Sequence, residues 1–368
     1  MNGQKKKRIL FAAYSLDLGG IETALISLLN NLVDKYDITL VLEEKKGIFL
    51  EQVDSRIRII EYKPSYSKIK VFAKILNGIK RFNFYIKYNK KFSFACSYAT
   101  YCRMNSVVAR IASENNALWV HNNYYSFFNE DIYKYRRFFD EISSHKFKNV
   151  VFVSEEAKMQ YIEKYGIEKE NIITCNNMID YKRIIKLAKE KIDYEHDENI
   201  CTFVNISRHD EHQKRITRLL ECAKMLDLDN EKFRILLVGA GPETEKYKKI
   251  VEEHNLKNKV IFIGKTANPY PYFRVSDCVV LTSDYEGNPV TYVEAKILNK
   301  PIITTDVSDS NIEIRDKYGI VTEKDTKSIY YAMKEFIRNG FRIKEDFNPE
   351  KFNQEIIIKV EDIINERN

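Results

Sequence analysis

A chain of 368 residues, 44% hydrophobic and 31% charged with 12 Gly and 7 Pro, is too long for one ordinary hydrophobic core and too apolar for disorder, so it predicts two folded domains and excludes a low-complexity or fibrous protein. The net charge of +7 allows an anionic partner and by itself selects none. Six cysteines stand apart, with no C-x-x-C pair and no Cys/His cluster, which excludes a zinc module and predicts free thiols in a reducing cytoplasm.

The basic start, Lys5-Lys6-Lys7-Arg8, followed by the apolar residues 9–14, has the outline of a signal peptide. The run is short, however, and leads into Asp17 and a glycine pair with no small-residue cleavage site, so a buried first strand is predicted there. No stretch nears the roughly 18 uninterrupted apolar residues of a membrane span. After the loop 15–20, Ile21, Ala24, Leu25, Leu28, Leu29 and Leu32 recur at helical spacing. Gly19 and Gly20 open that helix, where glycine lets backbone approach a ligand; a glycine-rich turn with Glu22 in the first helical turn explains the same letters without one. Further strands are predicted at 38–42, 117–120 and 150–153. Between them, residues 63–91 carry Lys63, Lys68, Lys70, Lys74, Lys80, Arg81, Lys87, Lys90 and Lys91 with no acidic residue, interleaved with apolar side chains. This is an amphipathic basic stretch of the kind that lies on an anionic membrane surface, or else a core-facing helix with a solvated basic face.

The polar stretch 175–199 reads as an interdomain connection. A second strand series follows at 200–206, 234–238, 259–263, 278–281 and 301–304, and residues 348–368 read as an amphipathic helix. Alternation of strand and helix predicts parallel sheets in an α/β fold. In 281–306, a strand ends at Leu281, a loop holds Glu286, Gly287, Asn288 and Pro289, and a helix begins with Val290, Val293 and Ile297 expected on its core side. The amides of Val290 and Thr291 then lie at the carboxyl end of a parallel strand, where a phosphate is favoured. Glu286 and Glu294 are placed to accept hydrogen bonds from sugar hydroxyls. Arg208 and Lys214, in a loop after another predicted strand, are two cations of the kind a departing diphosphate needs. His121 follows the strand 117–120 and is expected at its carboxyl end. Asp227-Leu228-Asp229, the D-x-D of the chain, follows a helix rather than a strand and is rejected as a metal site. Val238-Gly239-Ala240-Gly241-Pro242-Glu243 lacks the third glycine of a dinucleotide fingerprint and needs only a tight packing turn.

Glu286 and Glu294 match the E-x7-E pattern of the family-four retaining glycosyltransferases with the GT-B fold. Ser283, Glu286, Gly287, Pro289, Glu294 and Ala295 supply every anchor of that family's S-x-x-E-G-x-P-x-x-x-x-E-A signature. Arg208 with Lys214, Gly19-Gly20-Ile21-Glu22, His121, Ser154-Glu155 and 176–180 also resemble family segments, so the likeness extends over nearly the whole chain. It implies a GT-B architecture of two Rossmann-like β/α/β domains facing across a cleft. Residues 1–180 would bind the acceptor, 181–347 the nucleotide sugar, and 348–368 would form a C-terminal helix able to pack back on the first domain. It further implies that Glu294 holds the ribose, that His121 and Glu286 lie beside the donor sugar, and that Gly19, Gly20, Gly287, Asn288, Pro289, Val290 and Thr291 line the donor. Arg208 and Lys214 would stabilise the leaving diphosphate. The activity implied is retaining, metal-independent transfer of a hexose-type sugar from a nucleotide donor, expected to be a UDP-sugar, to a glycan or lipid-linked acceptor in bacterial surface polysaccharide synthesis. No cofactor and no nucleic acid is expected, and the location implied is the cytoplasm, peripheral on the inner membrane face. Two departures stand out: Asn177 where Gly is usual, and 305–309 where relatives have a glycine-rich loop before Glu313. A sugar-nucleotide 2-epimerase of similar fold and a catalytically inactive membrane-bound scaffold stay open as alternatives.

Overall fold

The computed structural model describes residues 6–17, 19–66, 69–167, 171–309 and 311–367. The chain divides into two compact units, residues 1–179 with 352–368, and residues 180–351. The boundaries expected from sequence lie one residue later at the first crossing and four residues earlier at the second.

In the first unit the strands are β1 Lys7–Ala13, β2 Tyr36–Leu42, β3 Arg58–Glu61, β4 Phe94–Ser97, β5 Asn116–Val120, β6 Asn149–Phe152 and β7 Ile172–Thr174, in the spatial order β3-β2-β1-β4-β5-β6-β7. Every pairing is parallel. In the second unit β8 Cys201–Ile206, β9 Phe233–Val238, β10 Val260–Gly264, β11 Cys278–Leu281, β12 Ile302–Thr305 and β13 Gly319–Thr322 pair in parallel in the order β10-β9-β8-β11-β12-β13. Parallel sheets are covered on both faces, which is why their central strands read as continuous apolar runs. Strands β3, β4, β7 and β13, three or four residues each, were not predicted from the sequence.

Both sheets share one topological property. The chain leaves the first strand of each sheet toward one edge and returns to continue on the other side, between β1 and β4 and between β8 and β11. Such switch points bring the loops at the carboxyl ends of the two flanking strands together and leave room for a ligand.

The stretch expected as a connection contains a helix, Tyr181–Leu187, which Asp180 caps by accepting from the Arg183 amide at 3.0 Å. The last helix is Pro349–Asn365. Its buried Ile356, Val360, Ile363 and Ile364 belong to the core of the first unit. There Asn115 donates to the carbonyls of Ile363 and Ile364, and Asn353 exchanges two hydrogen bonds with the backbone of Ile179.

Candidate functional site

The strongest constellation lies at the switch point of the second unit. The loop after β8 carries Arg208 and Lys214, and the loop after β11 carries Ser283, Glu286 and Gly287. Backbone and side-chain bonds tie the two together. The Asp284 amide donates to the Gln213 carbonyl at 2.8 Å, and the Thr282 hydroxyl donates to the carbonyls of Lys214 and Arg215 at 2.8 and 3.1 Å. Asp284 also pairs with Arg215 and Arg218. On this platform Lys214 Nζ reaches Glu286 Oε1 at 2.5 Å, with side chains 19% and 8% exposed. Ser283 Oγ donates to the same oxygen at 2.6 Å and Gln213 Nε2 to the other at 3.2 Å. A nearly buried carboxylate thus carries three donors, one of them cationic, in a charge-assisted cluster. Arg208 is more open: its side chain is 64% exposed and pairs with Asp210 Oδ2 at 2.6 Å.

Downstream of Glu286 the chain turns through Gly287, Asn288 and Pro289 into the helix Val290–Ile297, whose N-cap residue, Pro289, makes no side-chain cap hydrogen bond. The first amides of a helix have no partner within it, so Val290 and Thr291 sit where an anion is favoured. The helix is buried more completely than its pattern predicted. Val293 is buried while Val290 and Ile297 are only half-buried, and Tyr292, Glu294, Ala295 and Lys296 are also buried. The apolar period failed here because two buried positions are charged. Lys296 meets Glu313 at 2.7 Å. Glu294 accepts a single hydrogen bond from described residues, from Tyr270 Oη at 3.2 Å. Burial pushes the Glu294 carboxyl up to about 7, and the Tyr270 hydroxyl only partly opposes the shift. Tyr270 was missed in the sequence, since a tyrosine beside Pro269 carries no motif.

The Gly239-Ala240-Gly241 turn fixes the Arg208 loop from behind. A Cβ on Gly239, at φ +135, would lie 2.0 Å from the Ser207 carbonyl oxygen, and one on Gly241 2.3 Å from that of His209. The turn therefore packs strand loop on strand loop, and His209 is locked there by Thr244 Oγ1 at 2.8 Å. Gly239→Ala is expected to destabilise the protein by about 1–3 kcal/mol through a backbone clash at a left-handed φ. Gly78→Ala, in a helix with nothing within 4 Å, is expected to stabilise by about 0.5–1 kcal/mol. Urea midpoints of the two variants against the parent check the contrast.

In the first unit, His121 stands at the carboxyl end of β5 with its ring 4.5 Å from that of Tyr98. Burial drives the imidazole down to about 4, with the Tyr98 backbone and the Asn177 side chain opposing. Among the described residues neither ring nitrogen has a hydrogen-bond partner of good geometry, and Asn177 Oδ1 is likewise buried without one. A neutral imidazole in that state can donate and accept one hydrogen bond each to a ligand hydroxyl. It is too weakly basic for a general base at neutral pH. Gly20 opens the helix Gly20–Leu32, and Gly19 precedes it with extended backbone at φ −178 that any residue adopts. A Cβ there would meet only the end of the Glu22 side chain, so position 19 does not require glycine. Glu22 is raised above the usual carboxylate range by burial, against its own amide and a hydrogen bond from Tyr101.

The residues named from the sequence fall in both units. Lys214 and Ser283 both contact Glu286, with Gly287, Asn288, Pro289, Val290 and Thr291 following directly in the chain and Glu294 on the helix that begins at Val290. His121 with Asn177, and Gly19 with Gly20, belong to the other unit. Among the described residues no three His, Cys, Asp or Glu side chains stand together as metal ligands would. Asp227 and Asp229 instead pair with Lys259 and Lys334.

Residues 185–357 match the family described as glycosyl transferases group 1. An uncharacterized glycosyltransferase of Methanocaldococcus jannaschii is 25% identical over 268 residues, 66% of this chain and 63% of its own length. The N-acetylgalactosamine-N,N'-diacetylbacillosaminyl-diphospho-undecaprenol 4-alpha-N-acetylgalactosaminyltransferase of Campylobacter jejuni is 21% identical over 340 residues, 89% of each chain. The chain spans 63%, 31% and 45% of the length of the first curated relatives it matches. Among solved structures, Anabaena HepE in complex with UDP and glucose superposes with a TM-score of 0.70 at 16% identity, covering 96% of this chain and 99% of that one. The two parallel sheets are arranged as in this GT-B structure, and the segment that matches the glycosyl transferases group 1 family, residues 185–357, carries the signature of 283–295 at the switch point of the second sheet.

Proposed function

We propose that the protein is a retaining, metal-independent glycosyltransferase that moves a hexose-type sugar from a UDP-sugar to a hydroxyl of a glycan or lipid-linked acceptor. The setting is synthesis of bacterial surface polysaccharide at the cytoplasmic face of the membrane. The observation that carries this reading is the contact of Lys214 with Glu286 just before the N-terminus of the helix Val290–Ile297, with the buried Glu294 farther along the same helix. The names of the relatives support the reaction class, and the UDP and glucose of the Anabaena structure support the donor class.

In this reading the second unit binds the donor and the first the acceptor. Glu294 accepts from ribose hydroxyls. The amides of Val290 and Thr291 take the diphosphate, and Lys214 and Arg208 meet the charge that grows on it. The bond from the sugar's anomeric carbon to the phosphate oxygen breaks. The bond to the acceptor oxygen forms on the same face, and the acceptor proton passes to the departing phosphate oxygen. Glu286, held by Ser283 and Gln213, orients sugar hydroxyls, and the neutral His121 of the first unit is available to a ligand hydroxyl there.

Incubation with a panel of labelled sugar nucleotides, scoring slow hydrolysis and transfer, tests the reading. Release of free sugar from one donor supports it. An epimerised but intact nucleotide sugar would point to the 2-epimerase instead, and inertness toward the whole panel would leave only a scaffold. Activity is expected to survive exhaustive EDTA, because Lys214, Arg208 and helix amides supply the charge that a divalent ion supplies elsewhere. Loss on chelation with recovery on added Mg²⁺ or Mn²⁺ would refute that part.

A further inference from the structure

The helix Lys70–Tyr88 has two apolar sides. One is the expected core side, where Phe84 and Tyr88 are buried with ring centroids 4.8 Å apart and Phe84 meets Tyr62 at 5.2 Å. At 3.6 residues per turn, the side nearly opposite carries Val71, Phe72, Ile75, Ile79, Phe82 and Ile86, each between 52% and 69% exposed. The exposed face of this helix is therefore mostly apolar rather than the solvated basic face that sequence left as the plainer alternative. Cations border the apolar stripe, Lys74 and Arg81 along one edge and Lys80 and Lys87 along the other, all exposed. No Asp or Glu occurs between Glu61 and Glu114.

We infer that this outward face of Lys70–Tyr88 docks the protein in the interface of an anionic lipid bilayer. A helix with a wide apolar side bordered by lysine and arginine on both edges, on a tethered body, lies in the headgroup plane. Its apolar side chains enter the acyl boundary and its long cations snorkel to lipid phosphates. Contiguous exposed apolar side chains mark an interaction surface rather than ordinary exposure. Charge decides the occupant. A second copy of the same helix would bring its lysines and arginines toward these with no acidic residue in the helix to meet them, whereas an anionic surface complements both edges at once. The inference concerns where the protein works and does not depend on which donor it uses.

Sedimentation of the full chain with vesicles of 30% phosphatidylglycerol in phosphatidylcholine, and with phosphatidylcholine alone, tests it. The parent is expected to bind the anionic vesicles at low ionic strength and the neutral ones far less. The triple variant Ile75→Ser, Ile79→Ser, Phe82→Ser is expected to bind at least about a hundredfold more weakly. The quadruple variant Lys74→Gln, Lys80→Gln, Arg81→Gln, Lys87→Gln should lose the preference for anionic lipid, roughly a hundredfold in partition. Both sets point outward, so circular dichroism and melting temperature should match the parent, and so should donor hydrolysis measured without lipid. The inference is overturned if the parent ignores anionic vesicles, or if the serine variant binds them as well as the parent does. It also fails if sedimentation velocity without lipid shows a dimer that the serine variant dissolves, for then a second copy covers the face.

Discussion

Lys214→Ala is expected to lower kcat/KM for sugar transfer by two to three orders of magnitude, about 3–4 kcal/mol of transition-state stabilisation. The loss should fall mainly on kcat. In the free protein the ammonium is already matched by Glu286 at 2.5 Å, so a bound donor gains little from it until charge accumulates on the departing diphosphate. Lys214→Arg keeps the charge but not the compact point geometry and should recover only part of the activity. Truncation also leaves the Glu286 carboxylate with Ser283 and Gln213 alone, which is expected to cost about 1–3 kcal/mol of stability. Urea unfolding of the same variant separates that effect from the kinetic one. A folded Lys214→Ala protein with near-parent kcat/KM would remove Lys214 from the chemistry.

Binding of UDP is expected to release a proton through Glu294. Burial holds this carboxyl at about 7 with one hydrogen-bond donor. Ribose hydroxyls donating to it favour the charged form and lower the pKa in the complex. At pH 6 roughly nine-tenths of the free protein carries the proton, so the release approaches one proton per UDP there and fades above pH 8. Affinity should rise by up to about tenfold per pH unit from pH 5.5 to 7 and then level. Calorimetry in two buffers of different ionisation enthalpy, parent against Glu294→Gln, isolates this term from the titration of UDP itself. Equal proton release in the two proteins would take Glu294 out of the binding step. Stability carries the opposite signature. A carboxyl raised in the folded state favours folding below its unfolded value of 4.5, and that advantage is lost as pH rises through about 7. By pH 8.5 the charged, desolvated Glu294 costs on the order of 3 kcal/mol. Glu294→Gln should therefore raise the melting temperature at pH 8.5 relative to pH 5 while weakening UDP binding.

The parts of the fold legible in sequence were those where the chain passes through a sheet interior. The strands expected at 9–14, 38–42, 117–120 and 150–153 correspond to β1, β2, β5 and β6, because burial on both faces leaves an unbroken apolar run. β4 was not legible although it is central and buried, since its four residues Phe94–Ser97 include a small and a polar residue. The candidate site was legible where a motif fixes residues in one loop, as at 283–294. Tyr270 and Gln213 were not, because they reach Glu294 and Glu286 through folding across 24 and 73 positions and belong to no pattern. The burial of Glu294 was also hidden, since a glutamate on a helix reads as solvated until the surrounding helix is seen to be covered.

The helix Pro349–Asn365 completes the core of the first unit although the whole second unit precedes it in the chain. In the order of synthesis, the second unit is an insertion within the first. During translation the first sheet emerges with the site of Ile356, Val360, Ile363 and Ile364 still uncovered, and it stays so until the ribosome has made and released residue 364. The second unit has no such debt and can close beforehand, which makes the first the one that needs shielding from aggregation while the chain is unfinished. A stop codon near residue 350 would leave Lys214, Glu286 and Glu294 of the second unit intact. It would fail instead by exposing the apolar floor of a domain encoded before the whole of the second unit.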